Sequence, residues 1–134
     1  MGRLHHVPSE AVSAGTAQTS GMARFAAISG DVVGAQAIWM ARTHVGPRTA
    51  SGPHHHGQSE TGIYVVSGAP VFIYRQDGEE VRIQTKPGDF VYVPPFVPHI
   101  ESNADSDEEA VVVIARSTQE AIVVNLEDLS PASG

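Results

Sequence analysis

Residues 52–60, GPHHHGQSE, place three consecutive histidines and a carboxylate in a chain that has seven histidines in all. On extended backbone, successive side chains point to opposite faces, so His54 and His56 project together while His55 points away. Two imidazoles on one face can chelate a metal ion. The chain then runs into TGIYVVSG, residues 61–68, an apolar strand ending at a glycine turn, which gives the pair a rigid wall. A third imidazole is available at His99, in PPFVPHIESN, residues 94–103. Pro94, Pro95 and Pro98 restrict the backbone around it, and a ligand held stiffly is already organised for binding.

Outward from these two stretches, short apolar runs alternate with Gly, Pro and Asp punctuation. Residues 24–29, 35–43, 63–67, 71–75, 81–85, 90–93, 111–116 and 121–125 read as strands. GD, GPR, SGP, SGAP, QDGEE, KPGD, PPFVP and NADSDEE between them are turn chemistry. Gly68 and Gly88 fit turns that need positive φ or close backbone approach. Eight short strands at close spacing predict an all-β sandwich or barrel over residues 24–126, with an N-terminal arm over 1–23 and a tail over 127–134. The helix candidate is one turn at residues 8–12; no other segment keeps a 3.6-residue period.

At 134 residues the chain makes one domain, and it has no cysteine, which excludes thiolate nucleophiles and thiolate metal sites. Fifteen Asp and Glu against eight Lys and Arg set a net charge of −7. Such a field repels phosphate backbones and anionic lipid, so neither nucleic acid nor a membrane surface is an expected partner. Asp105, Asp107, Glu108 and Glu109 read as a solvated turn. No apolar run approaches the roughly 20 residues that span a bilayer, and the first 30 residues lack the basic-then-apolar order of a secretion signal, so a cytoplasmic location is expected.

The two histidine stretches resemble the paired motifs of the cupin superfamily, small jelly-roll β-barrels, G-x5-H-x-H-x3or4-E-x6-G and G-x5-P-x-G-x2-H-x3-N. Gly88, Pro94, His99 and Asn103 match the second, with Phe96 standing where the family carries glycine. His54, His56 and Gly68 match the first, and 19 residues separate Gly68 from Gly88. The leading glycine is missing: its place falls on Arg48. The glutamate position is ambiguous. Counted from His56 it is Glu60; counted back from Gly68 it is Thr61, and a one-residue slip turns a strand's side chains to the other face. Either a β-bulge near Thr61 returns Glu60 to the inner face, or Thr61 faces the metal.

Histidine and carboxylate donors suit one divalent transition metal per chain, Fe, Zn, Mn or Ni, held by His54, His56, His99 and Glu60. Parity with His99 turns Glu101 inward too, making Glu101, with Glu60, the candidate proton carrier; the alternative is a strand-end glutamate in water or paired with Arg116. Trp39, Met40, Phe72, Tyr74, Tyr92 and Phe96 are expected to divide between core and an apolar pocket, which suits a hydrophobic or aromatic substrate. The resemblance implies a small-molecule enzyme: a dioxygenase of enols, diketones or aromatics, or a redox-neutral polyketide cyclase or isomerase. A non-catalytic module that binds or senses a small ligand is the contrasting reading. A homodimer is expected, because the apolar strand at residues 121–126 needs cover.

Overall fold

A computed structural model of the chain describes residues 2–119 and 122–130. Among the described residues ten strands form: β1 (Met22–Ile28), β2 (Trp39–Val45), β3 (His54–His55), β4 (Thr61–Ser67), β5 (Val71–Gln76), β6 (Glu79–Gln84), β7 (Phe90–Val93), β8 (Ile100–Ser102), β9 (Ala110–Arg116) and β10 (Val124–Asn125). Two of these, β3 and β8, are very short and carry the histidine stretches. A 3-10 turn at Ser9–Ala11 lies in the segment expected to make one helical turn. A four-residue helix, α1 (Gly30–Val33), occupies a stretch expected to be a turn; the Ser29 hydroxyl caps it by accepting from Val32 N–H.

The strands make a jelly-roll barrel of two facing sheets. One has the order β1-β2-β9-β4-β7. The other has β6-β5-β8, extended by an antiparallel bridge between His54 and His99 to the β3-β10 pair. Both backbone hydrogen bonds of that bridge form, at 3.0 and 2.9 Å, so the two histidine stretches are zipped together directly.

Strict alternation places the inner face of the larger sheet. Trp39, Ala41, Thr43 and Val45 of β2, Ala110, Val112, Ile114 and Arg116 of β9, and Thr61, Ile63 and Val65 of β4 are all buried. Ala26, Trp39, Ala41, Ile63, Val65, Phe72, Val93, Val112 and Ile114 pack as one apolar core. Trp39, Arg116, Thr61 and Val93 lie side by side in one row across β2, β9, β4 and β7. The inner face is therefore mostly apolar, with Arg116 and Thr61 side by side in this row and Arg24 and Thr43 paired in another.

The N-terminal arm lies on its own barrel: Ser13 and Ala26 exchange backbone hydrogen bonds at 2.9 and 2.7 Å. The C-terminal strand is likewise covered within the chain, since Val124 and Asn125 pair with His55 and His54. That pairing occupies one edge of β10, and Val124 and Asn125 remain exposed. Ala121, expected to begin that strand, lies outside the described residues. Gly68 takes φ +78°, and a Cβ there would approach the Ala110 backbone to 2.8 Å, so the turn after β4 needs glycine twice over.

Both positions where glycine was expected from the motifs but is absent prove to be left-handed. Arg48 has φ +57° and Phe96 has φ +62°. Left-handed backbone costs a residue with a Cβ about 1–2 kcal/mol, and glycine is free of that steric penalty. Phe96 is 56% exposed, with its ring 5.8 Å between centroids from His55, so burial offsets little of the strain. Phe96→Gly is expected to stabilise the protein by about 0.5–1 kcal/mol, whereas Phe96→Val, β-branched at positive φ, should destabilise it by a similar amount. Thermal denaturation of the two variants checks this; equal midpoints would remove the strain at Phe96.

Candidate metal centre

The bridge between His54 and His99 and the parity of His54 with His56 bring three imidazoles to one point. One ring nitrogen from each lies within 4.8 Å of the others, and all three residues are buried. Each ring is aimed by its other nitrogen. His54 Nδ1 donates to Gly52 O at 2.9 Å, His56 Nδ1 to Ile122 O at 3.0 Å, and His99 Nδ1 to Val97 O at 3.0 Å. A carbonyl can only accept, so each Nδ1 carries the proton and each Nε2 presents its lone pair.

Burial reinforces that protonation state. Desolvation, followed by the neighbouring His99, holds His54 down to about 3, and desolvation lowers His99 to about 4. His56 is pushed lower still, by desolvation and then by the Arg116 guanidinium. All three are neutral at pH 7 and free to ligate. Three converging neutral imidazoles, each oriented by a backbone carbonyl, fit a divalent transition metal.

His55 is buried but stands apart from this group, with Nδ1 accepting from Gly57 N–H at 2.9 Å. Glu60, the carboxylate ligand expected there, is not among these converging groups. Glu60 is exposed and accepts a 2.7 Å hydrogen bond from the Tyr92 hydroxyl. The reason is register. From Thr61 to Val65, β4 pairs with β9 without interruption, and the bulge falls between Val65 and Ser67 instead of near Thr61. Thr61 consequently takes the inner face, fully buried, with no hydrogen-bond partner for its hydroxyl among the described residues.

Glu101 faces the interior, 2% exposed. Desolvation raises its pKa to about 7 even though the Arg24 guanidinium pulls the other way. Its Oε1 has no partner among the described residues. Two buried arginines were missed as site residues: Arg24, fully buried on β1, and Arg116, 2% exposed at the end of β9. Their signal was parity, because each continues the inner face of an alternating strand: Met22, Arg24, Ala26 and Ala110, Val112, Ile114, Arg116. Arg24 is tied to the arm through Thr19 Oγ1, at 2.7 Å, and Ala17 O, at 3.4 Å. Arg116 lies over the Trp39 ring, with its guanidinium carbon 4.4 Å from the centroid.

Beside His99 a cavity of about 250 Å³ opens between β7 and the β5–β6 hairpin. Phe72, Tyr74, Ile83, Tyr92, Val93 and Val97 line it. Of the aromatics expected in or near a pocket, Phe72 and Trp39 are buried, Tyr74 is half-buried, and Tyr92 and Phe96 are largely exposed. Met40 lies on the outer face of β2 and is half-buried.

The fold and the triad define a jelly roll with a candidate metal site of three histidines. The Cupin domain family matches residues 41–115, and the chain belongs to the cupin superfamily. No curated protein sequence matches it. Among solved structures it is similar to Lactobacillus farciminis oxalate decarboxylase in a formate complex, with TM-score 0.70 and 21% identity over 82% of this chain and 32% of that one. It is also similar to an oxalate oxidase in complex with the substrate analogue glycolate, with TM-score 0.69 and 18% identity over 83% of this chain and 59% of that one. Bacillus subtilis oxalate decarboxylase gives TM-score 0.69 and 24% identity over 81% and 28% of the two chains. The chain thus spans less than a third of the decarboxylases and 59% of the oxidase. These likenesses show the fold. Among the described residues, no helix is long and apolar enough to cross a membrane.

Proposed function

We propose that this protein is a metal-dependent enzyme acting on a small molecule, with a divalent transition metal held by His54, His56 and His99. The observation that carries the reading is the convergence of three neutral, carbonyl-oriented imidazoles beside an apolar cavity that His99 itself lines. A bound divalent metal would supply Lewis-acid or redox chemistry. The chain's own residues supply the rest. Phe72, Val93 and Val97 keep water from the inner end of the cavity, and Tyr74 and Ile83 flank its apolar body.

Glu101, buried and poised near neutrality, is the group suited to accept or return a proton at Oε1. Glu60 is displaced from that role by its exposed position and its bond to Tyr92. The cavity's lining favours a substrate with a hydrophobic or aromatic body. Both chemistries implied by the resemblance, oxygen-dependent cleavage and redox-neutral cyclisation or isomerisation, are compatible with this arrangement.

The test is elemental analysis of protein purified without a metal-chelating step, followed by oxygen uptake and product analysis against enols, β-diketones, catechols and polyketide mimics. Oxygen consumption selects the dioxygenase, and turnover without it selects the cyclase or isomerase. With an active substrate in hand, Glu101→Gln is expected to lower kcat by about 10²- to 10⁴-fold at unchanged metal content. Stoichiometric binding of these compounds without turnover would replace the enzyme by a ligand-binding module.

A further inference from the structure

Arg116 is buried at 2% exposure, yet Nε and both terminal nitrogens lack a hydrogen-bond partner among the described residues. This is unusual, because a buried guanidinium is normally paired or fully hydrogen-bonded. Its ring contact with Trp39 covers one face and leaves the N–H edges unused. Arg24, by contrast, is anchored through Thr19 and Ala17 and has Glu101 as its nearby counter-charge. Arg116 has no carboxylate within ion-pair distance among the described residues, and Arg24 adds repulsion.

Beside Arg116, in the same inner row, the buried Thr61 hydroxyl is also unpartnered. Thr61 holds the place where the motif carries glutamate, so the anion that would have balanced this end of the barrel is missing. Arg116 is also close enough to bear on all three histidines, and its influence on His56 is second only to desolvation. A divalent cation at the triad would deepen the excess of positive charge. A planar guanidinium with free edges and an adjacent hydroxyl match a planar anion that can accept two parallel N–H bonds.

We propose that the barrel interior binds a small organic carboxylate, its carboxyl group held by the Arg116 guanidinium and the Thr61 hydroxyl and its apolar body directed toward the cavity beside His99. The proposal rests on reading this interior as a small-molecule site and names the substrate class. It requires no turnover. A carboxylate neutralises Arg116 and offers two acceptor oxygens to donors that otherwise remain bare, whereas an amide of equal shape leaves the charge uncompensated and offers one acceptor oxygen.

The experiment is isothermal calorimetry of full-length protein, metal-free and zinc-loaded, with hexanoate, its neutral isostere hexanamide, and inorganic phosphate. Trp39, the chain's single tryptophan, gives a second readout by fluorescence because it stacks on Arg116. Hexanoate is expected to bind about 10- to 100-fold more tightly than hexanamide in both forms. Arg116→Gln should abolish that preference, Arg116→Lys should retain part of it, and Thr61→Val should reduce it by several-fold. If Arg116→Gln does not fold, the lysine and valine variants decide. Equal affinity for acid and amide, or a preference that survives unchanged in Arg116→Lys and Thr61→Val, overturns the proposal. Phosphate binding as tight as hexanoate overturns the carboxylate assignment in favour of a general anion site. Carboxylate preference in a protein that turns nothing over would fail the enzyme reading alone, and metal-dependent turnover of neutral substrates without that preference would fail this inference alone.

Discussion

His54→Ala, His56→Ala and His99→Ala are each expected to weaken divalent-metal affinity by more than about 100-fold, whereas His55→Ala should change it only a few-fold. Loss of a residue that merely orients a ligand costs about 10- to 100-fold in metal affinity, so loss of a ligand itself must cost more. The asymmetry at residue 55 follows from the fold: its ring accepts from Gly57 N–H and is not among the converging ligand atoms. Glu60→Gln belongs with His55→Ala, because its carboxylate is bonded to Tyr92 at the surface. Metal content after equilibrium dialysis measures all five variants. If His55→Ala or Glu60→Gln loses as much metal as His56→Ala, the strand register described above is wrong.

The second large effect is acid sensitivity of the metal-free protein. Each triad histidine has a folded pKa depressed below the unfolded value of about 6.5, so its stabilising contribution is present above pH 6.5 and is lost as pH falls toward the folded value. Each excluded proton is worth about 1.4 kcal/mol per pH unit. Glu101 works in the opposite direction. Its folded pKa, raised to about 7, means that the folded state holds a proton the unfolded chain releases, which returns stability as pH falls from 7 toward 4.5.

Three imidazoles against one carboxyl leave a net destabilisation of about 2–3 kcal/mol between pH 7.5 and 5.5. Urea denaturation at the two pH values is the measurement, and Glu101→Gln should steepen the loss by removing the opposing proton. A pH-independent midpoint would show that the triad is not desolvated in the folded chain. In metal-loaded protein the loss should be larger still, since protons then compete with the metal for the same lone pairs.

The motifs made the barrel and the histidine positions legible because both depend on local rules. Alternation along 54–56 separates His54 and His56 from His55 whatever the rest of the chain does, and Pro98 stiffens the approach to His99 from an adjacent position. Glu101 was legible by the same parity with His99. The short strands β3 and β8 could be foreseen as extended but not as paired, since their bridge joins residues 45 apart in the chain, His54 and His99.

What local rules leave open is decided by pairing between distant strands. Glu60 and Thr61 are both acceptable by spacing; the choice is made where β4, pairing with β9, absorbs its extra residue, and that place is between Val65 and Ser67. The same holds for charge. Arg24 and Arg116 are two of eight basic residues in an acidic chain, and net charge, which bears on nucleic acid and membrane surfaces as partners, says nothing of where single cations lie. Only closure of the barrel carries the arginines from β1 and β9 into the interior that the histidines share. There burial removes their water, and Arg116 bears on all three rings while Arg24 bears on His54 and His99.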